Sequence, residues 1–245
     1  MGDNNKTLVL FPGSWGNRSR KHVRWWFRHV ISHFTDWEII IISYSNSTTL
    51  KGYICDAQAR VKDVPDGAFA ICYSAGAQTA RGVAAQRPNL FKKVALISGL
   101  ERFGIRVLVL LHSLLIVFKP LWRVLRGHDL ALDTPAQVDA LMMGGTSEEG
   151  RSSFRRQLMG AMHPEPCKAV KQLALPPLRR WQQPFPCPVM ALVPENDFFI
   201  SGATYPGEDV QIVRTAGDHS LVCVENFQRI RPTLDRIKTW FNQVD

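Results

Sequence analysis

The sequence predicts an α/β fold, a mostly parallel and doubly wound sheet carrying a helical insertion, and three observations lead to it. Apolar β-prone runs recur at residues 7–11, 37–43, 68–73, 94–98, 189–193 and 210–214, and they are continuously apolar rather than alternating, as in strands covered on both faces. Helical patterns lie between them, at 20–34, 55–62, 75–86 and 224–243, and such alternation implies a doubly wound sheet. The alternation stops between Glu101 and Pro186, which marks an insert. With 245 residues, 45% of them hydrophobic, the chain can bury a sizeable core within one α/β domain.

Taken in order, the first strand ends in Pro12-Gly13-Ser14-Trp15-Gly16, a glycine turn. The following helix spaces Arg20, Arg24 and Arg28 four residues apart beside Lys21, with Val23, Trp26, Phe27, Val30 and Phe34 on the complementary stripe, so one face is basic and the other packs. Strand 68–73 runs into Ser74-Ala75-Gly76-Ala77, where small residues open a helix. Strand 94–98 precedes Glu101. The insert, 101–185, holds an apolar stretch at 103–118 and helical segments near 135–143 and 152–162, and closes in a proline-rich run up to Pro188. It reads as a helical cap on a core made of 1–100 and 186–245. Strand 189–193 delivers Glu195 and Asp197 beyond its end, and strand 210–214 leads through Gly217-Asp218-His219 into the last helix.

Bulk properties exclude several classes. No basic segment leads into a long apolar core near the N-terminus, and the longest apolar run, 107–117, is interrupted by His112 and falls short of the roughly 20 residues of a membrane-spanning helix. Stable membrane insertion is not expected. Cys55, Cys72, Cys167, Cys187 and Cys223 show neither CxxC pairs nor zinc-like Cys/His spacing, so neither a disulfide framework nor a metal site is implied and a cytoplasmic location fits. The Asn-x-Ser/Thr triplets at Asn5, Asn17 and Asn46 would matter only in a secreted protein. The net charge of +9 is uneven: the first 100 residues carry 13 Lys and Arg against 6 Asp and Glu, whereas 186–245 carry 5 against 8. That asymmetry favours an anionic partner, but no nucleic-acid-binding motif accompanies it.

The chemistry-bearing signals are local. A strand ending at Tyr73, then Ser74, then small residues opening a helix would project the serine hydroxyl above the sheet edge, with the Ala75 N–H facing the site. This pattern resembles the GxSxG nucleophile elbow of the α/β-hydrolase superfamily, with Cys72 where the first glycine is usual. The resemblance covers about residues 6–100 and 186–243 and implies an α/β-hydrolase fold with a Ser-Asp-His triad in that chain order. Asp197, three residues past Pro194, matches the triad acid; Glu195 is a nearby rival, and Glu101 occupies a second position from which family members present it. His219, in a glycine-histidine loop before the terminal helix, matches the base. His22, His29, His33, His112, His128 and His163 lack such context. The turn at Pro12-Gly13-Ser14 resembles the family's oxyanion loop with proline in place of histidine, which makes Ser14 the second oxyanion donor beside Ala75, with Trp15 the weaker candidate. Trp15 and Tyr73 flank these groups and are candidate substrate contacts.

The implied reaction is acyl transfer through a Ser74 acyl-enzyme, with no metal or cofactor. A leucine- and methionine-rich insert with basic residues such as Arg123, Arg126, Arg151, Arg155, Arg179 and Arg180 suits a hydrophobic acyl group with negative charge at its far end. Two substrate readings follow: an ester or thioester on an acidic acyl-carrier protein, or a free small carboxylic ester. The alternatives are a lyase, cyclase or C–C-bond hydrolase on the same scaffold, or a non-catalytic ligand-binding protein.

Overall fold

The computed structural model describes residues 6–45, 47–101, 122–144, 151–174, 183–200 and 202–243. The apolar stretch 103–118, and with it 107–117, as well as Arg179 and Arg180, lie outside them.

Six parallel strands form one sheet, β1 (Thr7–Phe11), β2 (Glu38–Ile41), β3 (Ala68–Tyr73), β4 (Phe91–Ile97), β5 (Val189–Pro194) and β6 (Val210–Thr215), in the order β2-β1-β3-β4-β5-β6. The register pairs Phe11 with Cys72, Tyr73 with Ile97, Ile97 with Leu192 and Pro194 with Thr215. The C-terminal ends of the central strands therefore reach one edge together, where an open α/β sheet presents its site. Successive side chains alternate between two cores. Val9, Phe11, Ala70, Cys72 and Ala191 face one, beneath α3 (Leu50–Val61), α4 (Gly76–Gln86) and α7 (Cys167–Ala174). Leu8, Leu10, Ile71, Tyr73 and Leu192 face the other, beneath α1 (Arg20–Trp26), α2 (Arg28–His33), α5 (Pro135–Met142), α6 (Arg151–Ala161) and α8 (Phe227–Asn242). Coverage on both sides is the reason β1, β3 and β5 are continuously apolar and buried throughout, whereas the edge strands β2 and β6 are partly exposed.

Several boundaries differ from the sequence expectation, each for an identifiable reason. The helix expected over 20–34 is two, because the backbone leaves α geometry at Phe27 (φ −97°, ψ 17°). The break turns Arg28 and His29 towards the chain after His219: Arg28 Nη2 donates to the carbonyls of Cys223 and Val224 at 2.8 Å, and His29 Nε2 lies 2.7 Å from the Val224 oxygen. Arg28 is thus a structural cation, and the exposed basic face reduces to Arg20, Lys21 and Arg24. Helix α3 begins at Leu50, five residues before the expected start, since Thr49 caps it by accepting from the Gly52 amide. The terminal helix starts later than expected: a 3₁₀ turn, His219–Cys223, precedes α8, which Asn226 caps. Helix α5 has a full capping box, Thr134 with Gln137, and Pro135 at its first position. The insert straddles both cores, with Val138, Leu141, Met142, Met143, Phe154 and Leu158 in one and Ala169 and Leu173 in the other. These side chains are therefore packing residues rather than cavity lining. Among the described residues no helix is long and apolar enough to cross a membrane.

Candidate active site

Strand β3 ends at Tyr73 and α4 begins at Gly76, so the chain must reverse within two residues. Ser74 accomplishes this at φ 48°, in the left-handed region that side chains rarely adopt. The strained residue is held from both sides: its amide donates to Ile97 O at 3.2 Å, and its carbonyl accepts from Leu100 N at 3.1 Å and Ala77 N at 3.2 Å. Gly76 is required here, because a Cβ would lie 2.3 Å from the Phe11 carbonyl oxygen. Gly13 is equally constrained, its notional Cβ falling 2.8 Å from Ser74 Cβ. Cys72, in the place of the family glycine, is wholly buried among side chains under α4, and burial pushes its thiol pKa up, which keeps it protonated.

His219 Nε2 lies 3.0 Å from Ser74 Oγ, and His219 Nδ1 lies 2.8 Å from Asp197 Oδ2 and 3.0 Å from Oδ1. An ionised carboxylate only accepts, so Nδ1 carries the proton and Nε2 is left to accept from the serine. Ser74 is 7% exposed, His219 1% and Asp197 0%. Asp197 Oδ1 also accepts the amides of Phe199 at 2.9 Å and Ile200 at 3.3 Å, which fixes the carboxylate plane. The imidazole sits between aromatic rings, with centroids of Phe199 at 4.8 Å and Tyr73 at 5.3 Å. Asp218 caps the turn that begins at His219 by accepting from Ser220 N at 3.0 Å, and its other oxygen pairs with Arg151 of the insert at 2.8 Å.

The rival acids lie elsewhere. Glu195 is exposed. Glu101 is buried and accepts the amides of Thr204 at 2.7 Å and Tyr205 at 3.1 Å, so it fastens the loop that follows Asp197. The buried Arg81–Glu208 pair, 2.7 Å apart, ties the same loop to α4. Tyr73, expected against substrate, is turned inward instead: as the last residue of β3 it alternates into the core under Trp26, and its hydroxyl donates to the His219 carbonyl at 2.9 Å. Burial pushes its phenol far up, so it remains a neutral donor. Trp15 is likewise covered, its indole N–H directed to Leu130 O at 3.3 Å. The Trp15 amide donates to Glu165 Oε2 at 3.1 Å, whereas among the described residues the Ser14 and Ala75 amides have no protein acceptor. Sequence reasoning missed Glu165, His163 as a backbone partner of Trp15, and Arg151 as the partner of Asp218; no local pattern marks them. Among the described residues no group of three or more His, Cys, Asp or Glu could hold a metal ion.

No protein-family model and no curated protein matches the chain by sequence. Solved structures do resemble it along nearly its whole length. An extracellular α/β-hydrolase from a Paenibacillus species, described as sharing structural and functional homology with tobacco salicylic acid binding protein 2, superposes with a TM-score of 0.68 at 14% identity, covering 94% of this chain and 97% of that one. A lipase-esterase related protein from Clostridium acetobutylicum gives 0.64 at 16% identity, with 97% and 96% covered. Naproxen esterase, carboxylesterase NP, from Bacillus subtilis gives 0.61 at 15%, with 98% and 85% covered. Identities this low speak for architecture, and together with the parallel sheet and the turn at Ser74 they establish that the chain adopts the α/β-hydrolase fold.

Proposed function

We propose that the protein is a serine hydrolase that cleaves an ester or thioester of a hydrophobic acyl group through an acyl-enzyme on Ser74. The observation that carries this reading is the unbroken hydrogen-bonded chain from Ser74 Oγ through His219 to Asp197. Serine is a poor nucleophile at neutral pH and needs a base within reach. As Oγ attacks the acyl carbonyl carbon, its proton passes to His219 Nε2, and the carboxylate of Asp197 stabilises the imidazolium. The carbonyl oxygen gains the negative charge and takes hydrogen bonds from the Ala75 and Ser14 amides. His219 then protonates the departing alkoxide or thiolate. Water, deprotonated by the same imidazole, attacks the acyl-enzyme, and the free acid leaves with Ser74 restored.

The insert acts as a cap in this reading, and since its described apolar side chains serve packing, the preference for an acyl chain rests on the apolar sequence 103–118. The esterases among the structural neighbours support ester chemistry. The exposed Arg20, Lys21 and Arg24 favour presentation of the acyl group on an acidic carrier protein, and five free cysteines accord with a cytoplasmic setting. A fluorophosphonate probe should label the wild type and not Ser74→Ala, and p-nitrophenyl esters of increasing chain length should be hydrolysed only by the former. Unlabelled, inactive wild type would remove serine from the chemistry. A carrier-linked thioester should be cleaved at a rate that falls with salt, while free esters are insensitive to it; the opposite pattern would leave the small ester as substrate.

A further inference from the structure

The turn that would present the Ser14 amide is itself strained, and the insert holds it. Gly16 N donates to Ser14 O at 2.9 Å, closing a three-residue turn with Trp15 at its centre at φ 64°. Such a turn is rare for a residue with a side chain, and strained backbone persists only where its surroundings over-determine it. Here both backbone polar groups of Trp15 are taken by one short segment of the insert: its N–H donates to Glu165 Oε2 at 3.1 Å, and its C=O accepts from His163 N at 2.7 Å. Glu165 is 1% exposed. Its carboxylate also accepts from Asn17 Nδ2 at 3.2 Å and from the Tyr53 hydroxyl at 2.9 Å, and its own backbone pairs in both directions with Leu130.

We propose that Glu165 is a positioning residue for acyl transfer, which holds the Ser14–Trp15 peptide so that the Ser14 amide meets the oxyanion. The inference rests on the reading of Ser74 as nucleophile. A carboxylate on the Trp15 amide fixes the plane of the peptide that begins at Ser14, and it keeps that amide from competing for the oxygen of the substrate. Burial pushes the Glu165 carboxyl upward, while the Trp15, Tyr53 and Asn17 donors pull it back; three donors converging on one buried side chain are a built acceptor site rather than an incidental contact.

The test uses the full chain and three variants, with kcat and KM on a p-nitrophenyl ester and the affinity of a trifluoromethyl ketone, whose adduct with Ser74 carries the oxyanion. Glu165→Ala leaves three buried donors without an acceptor, so Glu165→Asp is the deciding variant: it keeps the charge and both oxygens but is one methylene short. Both should lower kcat about tenfold to a hundredfold with KM within about twofold, less than outright loss of an oxyanion donor, and should weaken the ketone by the same factor. Glu165→Gln, which still offers an oxygen to Trp15 and can meet Asn17 after an amide flip, should restore most of the rate. Folded aspartate or alanine variants with unchanged kcat and ketone affinity would overturn the proposal, even with lowered thermal midpoints, because Glu165 would then be a staple only. Wild type that neither turns over nor labels would instead defeat the hydrolase reading.

Discussion

The ion pair between Arg151 and Asp218 joins the insert to the histidine turn, and a double-mutant cycle measures what that junction is worth. The two side chains are 11% and 8% exposed and meet at 2.8 Å. Replacing Arg151 with Met removes the cation and leaves a carboxylate mostly out of water, satisfied only by Ser220. Breaking a buried pair from one side costs about 3–5 kcal/mol, and the residual exposure here places Arg151→Met at the low end, about 3 kcal/mol. Asp218→Asn keeps a side-chain oxygen to cap the turn but removes the charge opposite Arg151, which retains its contact with the Met143 carbonyl, at a cost of about 2 kcal/mol. The double variant is neutral and similar in volume and should lose only about 1 kcal/mol, giving a coupling of about 4 kcal/mol. Urea unfolding followed by tryptophan fluorescence, at fixed pH and with equal slopes for all four proteins, supplies the numbers. Additive losses, with the double variant as unstable as the sum of the singles, would show that the pair does not couple the insert to the turn.

Three further perturbations test separate parts of the site. Asp197→Asn should lower kcat by about 10³- to 10⁴-fold, roughly 4–5.5 kcal/mol of barrier, because an amide facing Nδ1 selects the wrong imidazole tautomer. The thermal midpoint should barely move, since Oδ1 can still accept from Phe199 and Ile200; a loss under tenfold would contradict the assigned role. Gly13→Ala places a Cβ 2.8 Å from Ser74 Cβ and 2.9 Å from the Tyr73 ring, so kcat should fall at least tenfold, and an unimpaired variant would mean that the turn has room to spare. Burial raises the Glu165 carboxyl above its ordinary 4.5, so the folded chain retains a proton that the unfolded chain has lost. That contribution to stability is full below about 4.5 and disappears as pH rises through the elevated value. Thermal midpoints of wild type should therefore drop relative to Glu165→Gln as pH climbs over that interval, and a constant or opposite difference would refute the shift.

What the sequence discloses and what it conceals divide along the range of the forces involved. Short apolar, β-prone runs locate all six strands from residues a few positions apart, although only β1, β3 and β5 are buried at every position and the edge strands β2 and β6 are partly exposed. In a parallel sheet the strand ends share an edge, and Ser74, Asp197 and His219 each follow one, which is why local patterns suffice to single them out. Strand β4 begins three residues before the expected Val94 because Lys92 and Lys93 mask it; the Lys93 ammonium, though buried, reaches the carbonyls of Trp240 and Gln243, at 3.3 and 2.9 Å. Helix α7 is amphipathic, with Ala169, Val170 and Leu173 buried at helical spacing, but it is only eight residues long and follows Pro164-Glu165-Pro166, so the pattern is easily passed over. Glu165 is opaque, since its donors Trp15, Asn17 and Tyr53 lie 150, 148 and 112 residues away.

These attachments also bear on how substrate reaches Ser74. A hinged opening of the described insert as one body would separate Arg151 from Asp218 and Glu165 from Trp15, Asn17 and Tyr53. Each separation exposes or strands a group that was buried and satisfied, at about 3 kcal/mol apiece, and 6 kcal/mol admits the open form in roughly one molecule in 10⁴. That population would slow entry by the same factor, so entry is expected to take a route that leaves α6 on the histidine turn. A disulfide engineered between α6 and that turn should accordingly leave turnover unchanged. Activity lost on oxidation and regained with reductant would show instead that the segment must swing and that the two clamps are far weaker than their burial implies.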